Sequence, residues 1–192
     1  LQFYEITVFY TFNVNIQTYS KGIVMKQRIL IIGSPGSGKS TLAYQLHLKY
    51  QLPLYHIDQI QWLNNKNVIT FEELKQKLES IVVKEEWIID GNYSSTLSMR
   101  LKYATKVIWI KEPKVKCIFR VIKRYIYSLF KREHIGGNPK TLSFEFIKYI
   151  WDFPKNNEQF IMQQMKRSIP NVQWIIDDSK ALSLRCLLYT SD

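Results

Sequence analysis

Five short apolar runs recur along the chain: Arg28-Ile29-Leu30-Ile31-Ile32, Pro53-Leu54-Tyr55-His56-Ile57-Asp58, Trp87-Ile88-Ile89-Asp90, Lys106-Val107-Ile108-Trp109-Ile110 and Val172-Gln173-Trp174-Ile175-Ile176. Runs this short, continuous rather than alternating and rich in β-branched residues, predict strands buried on both faces. Between them the period lengthens to that of a helix. Lys39 to Tyr50 carries Leu42, Leu46 and Leu48, and Phe71 to Lys84 repeats Leu74, Leu78 and Ile81 or Val82 on one face. Val115 to Phe130 lines up Val115, Ile118, Phe119, Ile122, Tyr125, Ile126 and Leu129, with Arg120, Arg124 and Lys131 on the opposite side. Strands alternating with helices predict right-handed crossovers and a five-stranded parallel sheet with helices on both faces, an α/β fold.

The link from the first run to the first helix carries chemistry. Gly33-Ser34-Pro35-Gly36-Ser37-Gly38-Lys39-Ser40-Thr41 is a complete G-x-x-x-x-G-K-[ST] phosphate loop, placed as that motif requires between a buried strand and a helix. Its glycines let backbone N–H groups wrap a polyphosphate, Lys39 brings charge to the β- and γ-phosphates, and Ser40 offers a hydroxyl to Mg²⁺. The helix start adds its positive end. A plain glycine-rich turn would need neither the Lys-Ser pair nor the buried strand. The expected ligands are therefore ATP and Mg²⁺, and the fold class is a P-loop NTPase.

Ligands of a parallel sheet collect at the carboxyl ends of its strands. Asp90 closes the third run ahead of Gly91 and is read as the carboxylate that holds Mg²⁺ directly or through water, against the alternative of a turn residue. Asp58 closes the second run and suits a group that takes a proton from an acceptor hydroxyl. His56 reads as a satisfied core histidine, and Trp62 and Tyr93 as candidate floors of an acceptor pocket. Arg120 and Arg124 read as a clamp on the transferring phosphoryl group, ahead of a glycine-containing lid at about 131–142, His134-Ile135-Gly136-Gly137-Asn138-Pro139 within it.

Composition sharpens this picture at a few points. With 192 residues, 46% of them hydrophobic, the chain can bury one sizeable core. Two cysteines, Cys117 and Cys186, make no disulfide framework or metal-ligand spacing, and with no apolar run approaching the ~20 residues of a membrane span they predict a cytoplasmic protein without a membrane partner. The net charge of +11 is concentrated: residues 102–132 hold ten Lys or Arg against Glu112 alone, a segment suited to a polyanion. The chain starts at Leu1 and its first methionine is Met25, so 1–24 is read as a non-native or disordered leader outside the 25–180 domain, with an extra edge strand as the alternative. Residues 181–192 are read as a junction- or adapter-derived tail, to which no function is assigned.

Taken in series, the phosphate loop, Tyr55-His56-Ile57-Asp58, Trp87-Ile88-Ile89-Asp90-Gly91-Asn92-Tyr93, Arg100, Cys117-Ile118-Phe119-Arg120-Val121-Ile122-Lys123-Arg124 and Phe146-Ile147-Lys148-Tyr149-Ile150-Trp151-Asp152-Phe153-Pro154 resemble the bacterial DNA topology modulation protein family of adenylate-kinase-like P-loop proteins. The resemblance covers about residues 25–180. It implies a nucleoside-monophosphate-kinase-like architecture with a short lid, nucleotide contacts from Gly36 to Thr41, a metal-linked Asp90, and phosphate contacts from Arg100, Arg120 and Arg124. The lid departs from the family pattern of Arg-Pro-Asp followed by Cys-Pro-Glu, reading Arg132-Glu133-His134 and then Asn138-Pro139-Lys140.

Two functions stay open on the sequence. One is a Mg²⁺-dependent kinase passing the γ-phosphate of ATP to a nucleotide or small hydroxylated acceptor. The other is a nucleotide-switched, DNA-associated protein whose basic segment grips phosphates without reading bases.

Overall fold

Each of the five apolar runs forms a strand. In the computed structural model, which describes residues 26–62, 67–130, 142–168 and 171–178, they are β1 (Arg28–Gly33), β2 (Leu54–His56), β3 (Trp87–Asp90), β4 (Lys106–Lys111) and β5 (Gln173–Asp178). The leader, the tail and all but the end of the lid lie outside the described residues. All neighbouring strands pair parallel, in the order β2-β3-β1-β4-β5. The chain leaves central β1 for the β2 edge, returns to β3 and then crosses to β4. The winding direction therefore changes beside β1, and a crevice opens at its carboxyl end, where the phosphate loop begins.

Pleating sorts the continuous apolar runs onto two faces. Leu30, Ile32, Trp87, Ile89, Val107 and Trp109 bury against α3 (Phe71–Val82), α4 (Ser94–Leu101) and α7 (Gln159–Ser168). Ile29, Ile31, Ile88, Ile108 and Ile110 bury against Leu42, Ala43 and Leu46 of α1 (Lys39–Tyr50). The helices do cover both faces. Helix α3 starts with a full capping box, Thr70 accepting from the Glu73 N–H while Glu73 returns to the Thr70 backbone.

The structure departs from the sequence reading in three respects. β2 stops at His56, whose partner Asp90 is the last residue of β3, so Ile57 has no strand left to pair with and opens the five-residue helix α2 (Ile57–Gln61). Asp58 is consequently helical rather than strand-terminal. Apolar periodicity alone does not assign α4, α6 (Phe144–Phe153) or α7. Pro154, which normally ends a helix, instead begins a π-helical turn, Pro154–Glu158, that joins α6 to α7.

The third departure is the orientation of α5 (Lys114–Phe130). Its apolar stripe faces outward: Val115, Phe119, Ile122, Ile126 and Leu129 are exposed, Phe119 at 66%. The buried side is narrow, formed by Cys117 and Val121 against Ile150 of α6. The flank carrying Arg120 and Arg124 turns toward the phosphate loop. Loop and helix meet backbone to backbone. A Cβ at Gly36, where φ is +80°, would stand 2.4 Å from the Cys117 carbonyl oxygen. Gly36→Ala should therefore strain the loop and push α5 away, lowering stability by about 1–3 kcal/mol and weakening ATP binding. Thermal melting with and without ATP measures both.

Candidate nucleotide and phosphoryl-transfer site

The site lies at the carboxyl end of the sheet, in a cleft of about 520 Å³. The phosphate loop contributes Pro35, Gly36, Gly38, Lys39, Ser40 and Thr41 to its lining. Gly33, Ser34 and Ser37 are buried behind it, Ser37 N–H donating to the Ser34 carbonyl at 3.1 Å. Asn92, on the turn after β3, brackets the Gly33 peptide: its side-chain oxygen accepts from Gly33 N–H at 2.8 Å and its amide donates to the Gly33 carbonyl. That clasp fixes the β3 turn to the start of the loop. Lys39 is partly buried and its Nζ donates to the Ser34 carbonyl at 2.9 Å. Burial lowers its pKa, while the nearby charges of Asp90 and Asp58 oppose the fall and that of Arg124 adds to it.

Asp90 is 5% exposed and sits beneath the loop. Its Oδ2 accepts from Ser40 Oγ at 2.6 Å and contacts His56 Nδ1 at 2.9 Å. An ionised carboxylate can only accept, so His56 donates through Nδ1. Asp90 Oδ1 is buried and without a hydrogen-bond partner among the described residues. A buried orphan oxygen calls for an explanation, and a hard oxygen-seeking cation beside Ser40 supplies one. The donor set fits Mg²⁺. His56 is no core histidine. It is half-buried and bonded to the candidate metal ligand.

The arginines separate by what each already holds. Arg100, which the family resemblance implies as a phosphate contact, is fully buried; its guanidinium donates to the carbonyls of Gly91, Asn92 and Tyr93, the first and last at 2.9 Å. Its reach ends at those carbonyls and it does not line the cleft. Burial lowers its pKa to about 9, against the pull of Asp90, so it stays charged at neutral pH. Arg120 lines the cleft but braces the loop, donating to Ser37 O at 3.1 Å and pairing with Glu112 at 3.0 Å. Arg124, one helical turn on, lines the same cleft and is exposed. Asp58 and Tyr93 also line it, joined by Phe146 and Tyr149 of α6. Trp62 is not in that lining and forms a backbone bridge to Val68.

Asn92, Phe146 and Tyr149 are the site residues that residue-type reasoning passes over. Asn92 announces itself only by standing beside Asp90-Gly91, and the two aromatics read as helix core until α6 is placed.

Sheet order, phosphate loop and cleft define an α/β P-loop NTPase fold. Among solved structures, a gluconokinase from Sinorhizobium meliloti 1021 is similar over 80% of this chain and 83% of its own, with 12% identity and a TM-score of 0.47. No family model and no curated protein matches the chain. Among the described residues no helix is long and apolar enough to cross a membrane.

Proposed function

We propose that the chain is a Mg²⁺-dependent kinase that transfers the γ-phosphate of ATP to a nucleotide or small hydroxylated acceptor. The observation that carries this reading is the Ser40–Asp90 pair, with a buried, unpartnered carboxylate oxygen beside the phosphate loop and Asp58 lining the same cleft. Mg²⁺ held by Ser40 and Asp90 would neutralise charge on the β- and γ-phosphate oxygens. Loop N–H groups and Lys39 hold the polyphosphate, and Arg124 stabilises charge spreading over the moving phosphoryl group. Asp58 accepts the acceptor's hydroxyl proton as the new P–O bond forms and the β–γ bridging bond breaks, releasing ADP. Arg120 keeps the loop in shape, and His56 restrains Asp90.

Two carboxylate variants test the assignment. Asp90→Asn should raise the Mg²⁺ concentration needed for half-maximal turnover while ATP affinity, measured by calorimetry, falls little. Asp58→Asn should leave the Mg²⁺ requirement alone and slow transfer by about 10²- to 10⁴-fold, the usual contribution of a general base. If both variants shift Mg²⁺ dependence alike, Asp58 belongs to the metal site. No Mg²⁺-stimulated ADP formation with any acceptor would overturn the kinase.

A further inference from the structure

The cleft lining from α2, the turn after β3 and α6 has a different character from the phosphate loop. Its charged and aromatic members are Asp58, Tyr93, Phe146 and Tyr149. Tyr93 adopts φ 30° and ψ 77°, a left-handed conformation that a bulky residue avoids. Arg100 holds it there through the three carbonyl bonds on residues 91 to 93. Strain of this kind persists only where the surroundings over-determine it, and it concentrates at ligand clamps. The Tyr93 ring is thus a wall fixed before any ligand arrives. Burial, with the charge of Asp58, pushes its hydroxyl up to about 12, and burial and Asp58 raise Tyr149 as well. Both phenols therefore remain protonated and uncharged beside the carboxylate.

Such a wall favours one chemistry. Aromatic faces pack against the flat or apolar side of a ring, and a carboxylate accepts from a hydroxyl. A phosphate on the acceptor would instead add negative charge to a part of the cleft whose charged member, among the described residues, is the Asp58 carboxylate. Among the described residues, the cations of the lining have other tasks: Lys39 is bonded to the Ser34 carbonyl, Arg120 is braced to the loop, and Arg124 is assigned above to the transferring phosphoryl group.

We infer, on the basis of the kinase reading above, that Asp58, Tyr93, Phe146 and Tyr149 form the acceptor subsite and that it takes an uncharged, hydroxyl-bearing ring, a sugar or a nucleoside, in preference to its phosphorylated form. The acceptor oxygen bonds the γ-phosphorus, its proton passes to Asp58, and ADP departs with the electrons of the broken P–O bond.

The test uses the full chain with ATP and Mg²⁺ and follows ADP release against four acceptor arms: hexoses and pentoses, nucleosides, the corresponding phosphates of each, and glycerol as a ringless alcohol. At least one neutral ring is expected to exceed its own phosphate by ~10-fold or more in kcat/KM. The sugar and nucleoside arms tell the two sources apart. Tyr93→Ala should raise KM for that compound by ~10-fold or more with calorimetric ATP affinity unchanged, and Tyr93→Phe should restore it. A preferred phosphorylated acceptor, glycerol used as well as any ring, or an unchanged KM in Tyr93→Ala would each overturn the subsite alone, and ATP binding with no acceptor turned over would overturn the kinase with it. Failure of the wild-type chain to bind ATP would overturn the subsite and the kinase together.

Discussion

Lys39→Ala is expected to lower ATP turnover by about 10²- to 10³-fold while leaving the fold intact, a loss typical of deleting one preorganised electrostatic contact. The Lys39 ammonium already lies against the loop, bonded to the Ser34 carbonyl, so its charge is in place for a polyphosphate without rearrangement of the backbone. The anchors of α1, Leu42, Ala43 and Leu46, are untouched by the change. Stability should respond to pH in a defined direction. Because burial holds the Lys39 pKa below its ordinary 10.5, the unfolded chain binds that proton more tightly, and wild-type stability gains a contribution as pH rises from the lowered value toward 10.5. The variant should lack this slope. Melting curves across that range and calorimetry with ATP read the two effects separately, and full ATP affinity in the variant would sink the phosphate-loop assignment.

The second large effect belongs to Arg124. As the exposed guanidinium in the cleft lining, it is expected to lower turnover by about 10³- to 10⁵-fold when replaced by Ala, the range associated with an arginine acting on a transferring phosphoryl group. Lys should rescue little, since it lacks the planar fork. Arg120→Lys should behave differently, because its bonds to Ser37 O and Glu112 are structural; its loss should appear first as a lower melting temperature. The DNA-associated alternative predicts otherwise. There both arginines supply general charge, Arg→Lys is nearly silent, and log affinity for DNA falls linearly with log salt at ~0.9 per phosphate neutralised. Full turnover in Arg124→Lys with intact, salt-steep DNA binding would favour that alternative.

The strands and the loop were legible because their signals are local. Ile29 to Ile32 and Trp87 to Ile89 are continuous apolar runs, and a sheet covered on both faces is the structure such runs support. The phosphate loop is a short contiguous motif whose glycines are needed by its own backbone. The arginines were less legible, because their roles depend on partners distant in sequence. Nothing near Arg100 shows that its guanidinium will close on carbonyls seven to nine residues back, or that Arg120 will meet Ser37, 83 residues away. Helix α5 shows the same limit from another side. Periodicity identifies its apolar stripe, yet the direction in which a stripe faces depends on its neighbours. Here Cys117 and Val121 pack against Ile150 of α6 and close on Gly36 of the loop, leaving Phe119 and Leu129 outside. His56 read as core because burial and function share the strand end, where its last register partner is Asp90.

The contact between Gly36 and Cys117 makes the phosphate loop and α5 a single mechanical unit, clamped further by Arg120. A ligand that orders the loop must also bear on the helix, and free-energy linkage runs equally in both directions. Hydrogen exchange of the α5 amides should therefore slow when ATP is added, with protection strongest around Cys117 and Val121. By the same reciprocity, any molecule that grips the outward stripe of α5 and shifts its axis will alter ATP affinity without touching a residue of the cleft.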